Sequence, residues 1–211
     1  MSERQYGVRV PPLVASAQVL AESLGFDLRP EGNRAGSAVT SPSCCLDEVG
    51  ALLMTLSSSV TSGRIGEIGT GAGVGTAWLA SGMRKGVSLY TVELDQALSA
   101  AANRHFVDHP SINVLAGDWR EAFANVGPYR LLFADGGGLA EAGPDVWALA
   151  AALIEPGGIM VIDDLTPEAL WPESWRGQPD AKREFAFTSG LFESAEVLIR
   201  PDVSALVMVR L

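Results

Sequence analysis

The chain predicts an α/β fold, a mostly parallel sheet with helices on both faces, closed at its end by an antiparallel hairpin. Three observations predict it. From Arg64 onward, strand-like and helix-like segments alternate, the rhythm of parallel strands joined by helical crossovers. Early in that rhythm, Gly66-Glu67-Ile68-Gly69-Thr70-Gly71-Ala72-Gly73-Val74-Gly75 sets a glycine-rich loop between a strand and a helix. The last two strand-like runs are joined only by Pro201-Asp202-Val203, a link too short for a helical crossover, so they pair antiparallel.

Each element has its own signal. Helix-like stretches at about 12–24 and 46–60 come first; the second lines up Leu46, Val49, Leu52, Leu53 and Leu56 on one face. Arg29 to Ser43 is rich in Gly, Ser, Pro and Asn and reads as a loop. Ser43 is a candidate cap for the second helix, with Ser41-Pro42 as the alternative start. Strands follow at 64–69, 88–93, 112–116, 130–135 and 157–163, with helices at about 75–84, 95–107, 119–126 and 144–154. The crossovers should be right-handed. Glu196-Val197-Leu198-Ile199-Arg200 and Ser204 to Arg210 form the hairpin. The 211 residues suit one domain, with 1–60 as an N-terminal helical segment and 61–211 as the α/β core.

Composition narrows the partners. The net charge of −10 argues against a broad nucleic-acid surface, which needs clustered Lys and Arg. No apolar run is long enough to span a bilayer. Met1 to Tyr6 lacks the regions of a signal peptide, so the expectation is a cytoplasmic protein acting on small molecules, without nucleic acid or membrane. Cys44 and Cys45 are adjacent and belong to no CxxC pattern; they read as small buried or half-buried residues near a helix start.

The glycine loop lets backbone N–H groups approach a ligand closely, because glycine has no Cβ in the way. Eighteen residues past Gly75, the run Val87 to Val92 ends at Glu93. A carboxylate there can accept both hydroxyl hydrogens of a ribose. Together they predict an adenosine-containing cofactor.

An ordered set of motifs then carries a resemblance. It comprises Ser41-Pro42, Glu67-Ile68-Gly69-Thr70-Gly71, Glu93, Gly117-Asp118-Trp119, Phe133-Ala134-Asp135, and Gly157-Gly158 leading to Asp163-Asp164. With these the chain resembles the class I S-adenosylmethionine-dependent methyltransferases. More narrowly it is similar to the catechol O-methyltransferase-like family, including the bacterial enzymes related to caffeoyl-CoA O-methyltransferases. The resemblance implies a Rossmann-like sheet of seven strands with the last antiparallel, S-adenosylmethionine as cofactor, and a homodimer through the N-terminal helices. It implies cofactor contacts from Glu67, Gly69, Thr70, Gly71, Gly73, Glu93, Asp118, Trp119 and Asp135. Asp118 falls where the family meets the adenine amino group, and Trp119 is placed to pack on the purine.

The resemblance also implies a divalent metal held by Asp135, Asp163 and Asp164, with Asp135 catalytic. Oxygen-only ligands suit Mg²⁺ or Ca²⁺. Two positions depart from the family. Asp163-Asp164 stands where Asp-Asn is usual, and Asp135-Gly136-Gly137-Gly138 puts glycine where the family has its candidate general-base lysine. A metal-free site is the alternative, with the carboxylates repelling one another and one of them protonated. His105 and His109 read as surface residues. Trp171 and Trp175 lie where the family walls its acceptor pocket, and ordinary packing explains them as well. The expected activity is methyl transfer to a small-molecule hydroxyl. Its alternatives are metal-free methylation, a nicotinamide-dependent oxidoreductase and a non-catalytic cofactor-binding protein.

Overall fold

A computed structural model describes residues 7–28, 42–136 and 143–211. Helices α1 (Pro12–Ser23) and α2 (Asp47–Ser59) precede an alternating series: β1 (Arg64–Ile68), α3 (Val74–Gly82), β2 (Ser88–Glu93), α4 (Gln96–His105), β3 (Ile112–Ala116), α5 (Trp119–Ala122), β4 (Tyr129–Ala134), α6 (Pro144–Ala152) and β5 (Ile154–Leu165). Two short 3₁₀ turns, α7 (Ala181–Thr188), β6 (Phe192–Arg200) and β7 (Val203–Arg210) complete the chain.

The seven strands lie in the order β3-β2-β1-β4-β5-β7-β6. Strands β1 to β5 pair in parallel, and β7 runs antiparallel to both β5 and β6. The chain moves outward in one direction from β1 through β2 and β3, then returns to β4 and moves the other way. This reversal opens a crevice at the carboxyl ends of β1 and β4, where open α/β sheets take their ligands.

Side-chain alternation divides the core into two layers. Ile65, Leu89, Leu131, Phe133 and Val161 face α1, α2 and α3, where Val14, Ala17, Leu53 and the fully buried Trp78 cover them. Ile68, Val92, Leu132, Met160 and Ile162 face the other way, under Phe123, Trp147, Phe185 and Ala186. At about 25 cal/mol per Å² of apolar surface removed from water, such doubly covered strands are the main source of stability.

Most expected elements are present within a few residues. Three differ. Helix α2 begins at Asp47, with Leu46 at its cap position and no side-chain cap. Ser43 instead belongs to an extended segment bridged to Asp27, where Asp27 N–H donates to Pro42 O at 2.8 Å and Cys44 N–H to Asp27 O at 3.0 Å. Ser41 lies outside the described residues. Helix α5 is a single turn that stops at Ala122. Helix α7 had no sequence-based expectation. Its cap is Asp180, whose carboxylate accepts from the Arg183 N–H at 3.0 Å.

Candidate active site

The glycine loop leaves β1 at Ile68 and crosses onto β2, with Gly69 and Thr70 N–H both donating to Val92 O at 3.0 and 3.1 Å. Gly69 has φ +96°, and a Cβ there would stand 2.8 Å from the backbone of Gly136. Only glycine allows β1's loop and the turn after β4 to touch in this way.

Beneath the loop lies Glu67, 1% exposed. Its carboxylate accepts from the Thr76 hydroxyl and from Thr91 Oγ1 at 2.6 Å. Thr70 Oγ1 lies 2.6 Å from Thr91 Oγ1. Burial raises the Glu67 pKa to about 7, against the lowering effect of the two threonine hydrogen bonds. Gly75 makes room for it, since a Cβ at Gly75 would lie 2.5 Å from Glu67 Oε1. Glu67 therefore braces the loop from inside and still reaches the cavity lining.

Glu93, at the end of β2, is held by two backbone donors: Gly71 N–H to Oε2 at 2.8 Å and Asp95 N–H to Oε1 at 2.9 Å. Asp95 in turn caps α4, accepting from Ala97 and Leu98 N–H at 2.8 and 2.9 Å. The carboxylate is fixed by one hydrogen bond at each oxygen and keeps lone pairs for further donors.

A cavity of about 320 Å³ runs from this carboxylate past Gly69, Thr70 and Gly71 to Asp135 and Asp164. Phe26, Pro42, Ser43 and Cys44 wall it on the side of the N-terminal segment. The bridge between Asp27 and Ser43 puts them there, and no local pattern announces a contact between residues so far apart in the chain. Burial first, then the Asp135 carboxylate, pushes the Cys44 thiol up to about 12, so it lines the cavity as a neutral group.

Asp135, Asp163 and Asp164 are brought together as expected, with one carboxylate oxygen of each within 4.8 Å of the others. Asp163 is 3% exposed, whereas Asp164 is exposed and lines the cavity. Asp164 has φ +58°, the one positive value at a non-glycine among the described residues. An aspartate in that region carries local strain, a frequent property of functional positions. Burial, followed by repulsion from Asp164, raises the Asp163 pKa to about 8. Asp135 is also raised, first by burial and then by Asp163 and Asp164. Three close oxygen donors whose mutual repulsion a positive charge would relieve are a chemically suitable set for a hard divalent cation.

Lys182, absent from the sequence reading, enters from the first turn of α7 and donates from Nζ to Asp163 O at 2.8 Å. It is one of two lysines in the chain. Its rarity was the available signal, but its placement depends on α7. Gly137 and Gly138, the latter at the family's lysine position, lie outside the described residues.

The residues expected to meet adenine differ from the rest. Asp118 caps α5, accepting from Arg120 N–H at 2.9 Å, and pairs with the Arg120 guanidinium. Those hydrogen bonds lower its pKa to about 2. Trp119 packs against the second core layer, and neither residue is among those lining the 320 Å³ cavity. Gly73 caps α3 and also stands back from the lining. His105 lies 3.3 Å from Ser16 Oγ, away from the cavity. Trp171 donates to Thr166 O at 2.9 Å and lies 5.2 Å from the Arg183 guanidinium. The surface hollow it helps to line shares no residue with the first cavity.

Comparison with known proteins agrees with this geometry. Residues 67–165 match a family model described as a methyltransferase domain. A protein from Mycobacterium sp. (strain JLS), whose O-methyltransferase assignment is itself provisional, is 32% identical over 120 residues, covering 54% of each chain. The chain thus spans about half the length of that curated relative. Among solved structures, the O-methyltransferase from Bacillus cereus in complex with SAH aligns with a TM-score of 0.67 at 18% identity, over 96% of this chain and 93% of that one. The O-methyltransferase TomG from Streptomyces achromogenes, solved with SAM, aligns at 0.65 and 20% identity, over 96% and 92%. At such identities these two report the fold. The family model and the curated relative add sequence evidence of the same kind: over residues 67–165 the chain is similar to a methyltransferase domain.

Proposed function

We propose that this chain transfers a methyl group from S-adenosylmethionine to an oxygen of a small molecule. One observation carries the reading: a single cavity is lined at one end by Glu93 and the glycine loop and at the other by Asp135 and Asp164. S-adenosylmethionine supplies a methyl group on a positively charged sulfur, and a divalent cation at the aspartates supplies charge that lowers the pKa of an acceptor hydroxyl.

The residues divide the work between them. Glu93, held by Gly71 and Asp95, accepts from the ribose hydroxyls. Gly69 and Gly71 bring the loop backbone against the cofactor's middle. Glu67 keeps that loop in place through Thr76 and Thr91. At the far end, Asp135 and Asp164 orient the acceptor oxygen and hold its hydrogen. The oxygen attacks the methyl carbon in line as the carbon–sulfur bond breaks. Alignment of the two reactants within one walled space is the larger part of the catalysis. Phe26, Pro42 and Cys44 cover the side of the cavity that would otherwise open to water.

Titration with S-adenosylhomocysteine, followed by methyl-transfer assays on catechols and other phenols with Mg²⁺ or with EDTA, tests this reading. Saturable binding and transfer lost in EDTA support it in full. Absence of binding removes it. A second reading, metal-free O-methylation, is favoured by glycine at the family's lysine position and by Lys182 at the cluster. It predicts transfer indifferent to EDTA.

A further inference from the structure

The three aspartates collect negative charge where a buried Asp163 meets an exposed Asp164. We infer that Lys182 is the built-in counter-ion of this cluster, a positioning residue that holds the end of β5 and competes with a divalent cation for the charge of Asp135, Asp163 and Asp164.

The placement is built, not incidental. Lys182 Nζ donates to Asp163 O at 2.8 Å, which ties α7 to the strand end that carries two of the aspartates. The neighbouring residue locks the helix. Arg183, 7% exposed, grips Glu196 on β6 with Nε to Oε2 at 2.8 Å and Nη2 to Oε1 at 2.6 Å. It also donates to Asp180 Oδ2 at 2.6 Å and to Thr166 O at 2.9 Å. This two-pronged pairing fixes guanidinium geometry. With Arg183 anchored, the first turn of α7 cannot rotate, and Lys182 is aimed at β5. The residue whose carbonyl the ammonium holds, Asp163, carries a carboxylate oxygen within 4.8 Å of those of Asp135 and Asp164.

A unit positive charge beside a cation site opposes the binding of a second cation, by roughly tenfold or more in affinity at the effective dielectric of a partly buried position. Lys182 therefore weakens divalent binding and allows the aspartates to stay gathered without an ion. The inference rests on the proposed assignment of the cluster to the acceptor end, but its readout is cation affinity, which is independent of turnover.

The test is a Mn²⁺ titration of the full chain, read by the electron paramagnetic resonance signal of the free ion, for wild type, K182M, K182Q and K182R. S-adenosylhomocysteine affinity and melting temperature serve as fold controls. K182M and K182Q should each bind Mn²⁺ roughly tenfold or more tightly, with K182R close to wild type and S-adenosylhomocysteine affinity unchanged in all four. Mn²⁺ affinity in K182M and K182Q equal to or weaker than in wild type overturns the inference. So does K182R binding as tightly as K182M, because side-chain shape rather than charge would then be responsible. K182Q guards against poor folding of K182M. A wild type that fails to bind S-adenosylhomocysteine while the Mn²⁺ series behaves as stated would sink the methyl-transfer reading alone.

Discussion

The two ends of the cavity are built on opposite electrostatic plans. At the proposed donor end each carboxylate is satisfied by the protein: Glu93 by two backbone N–H groups, Glu67 by two threonine hydroxyls. At the proposed acceptor end three carboxylates crowd together, one in strained backbone, with a lysine brought in by α7. The difference teaches where pre-organisation stops. A site that binds the same cofactor every cycle can be finished in advance by local hydrogen bonds. A site that must meet an exchangeable partner keeps charge that the protein compensates only in part, because that charge provides the differential binding on which catalysis depends.

Four experiments test this contrast, in decreasing order of effect. Asp135→Ala should lower turnover by about 10²–10³-fold, the scale of losing one electrostatic contact to the reacting atoms. S-adenosylhomocysteine affinity, measured by calorimetry, should change far less. An equal loss of both would merge the two ends into one.

The second concerns the buried Glu67. Its folded pKa of about 7 lies above the ordinary 4.5, so the folded state keeps a proton that the unfolded state gives up. Stability is then full below pH 4.5 and falls as pH rises to 7, by on the order of 3 kcal/mol from this group. Chemical denaturation across that window should show the fall in wild type and a flatter profile in Glu67→Gln. A profile identical in the two proteins would remove Glu67 as the source.

Third, Glu93→Ala should weaken S-adenosylhomocysteine by about 30-fold, the scale of losing hydrogen bonds to a charged acceptor. Calorimetry reading wild-type affinity would break the donor-end assignment. The smallest effect is expected from Arg120→Ala. Arg120 pairs with Asp118 in an exposed setting, where ion pairs contribute little. Freeing Asp118 should shift cofactor affinity less than Glu93→Ala does, and a larger shift would draw the adenine end into the pre-built half of the site.

Much of the donor end was legible in the chain because it is local. The loop from Gly69 to Gly75 and the carboxylate at Glu93 sit at the ends of adjacent parallel strands, so spacing alone placed them. Glu67 was legible as an acidic residue but not as a buried one, since its partners Thr76 and Thr91 come from two other elements. The acidic cluster was legible as three residues at strand ends. Its countercharge was not. Asp118 shows the opposite limit: its position invites a ligand contact, and the local helix cap takes up its carboxylate.

By itself, then, the order of residues determined the strand and helix rhythm, the antiparallel close and the glycine loop, because periodicity and glycine's freedom act over a few residues at a time. Only the packed molecule decided that Phe26 and Cys44 would wall the cavity, that Asp164 would take a left-handed backbone, and that α7 would bring Lys182 to Asp163. The first and last of these join segments nearly twenty residues or more apart. They come from the register of the sheet and from the anchoring of Arg183, and no local pattern encodes a distance across the fold.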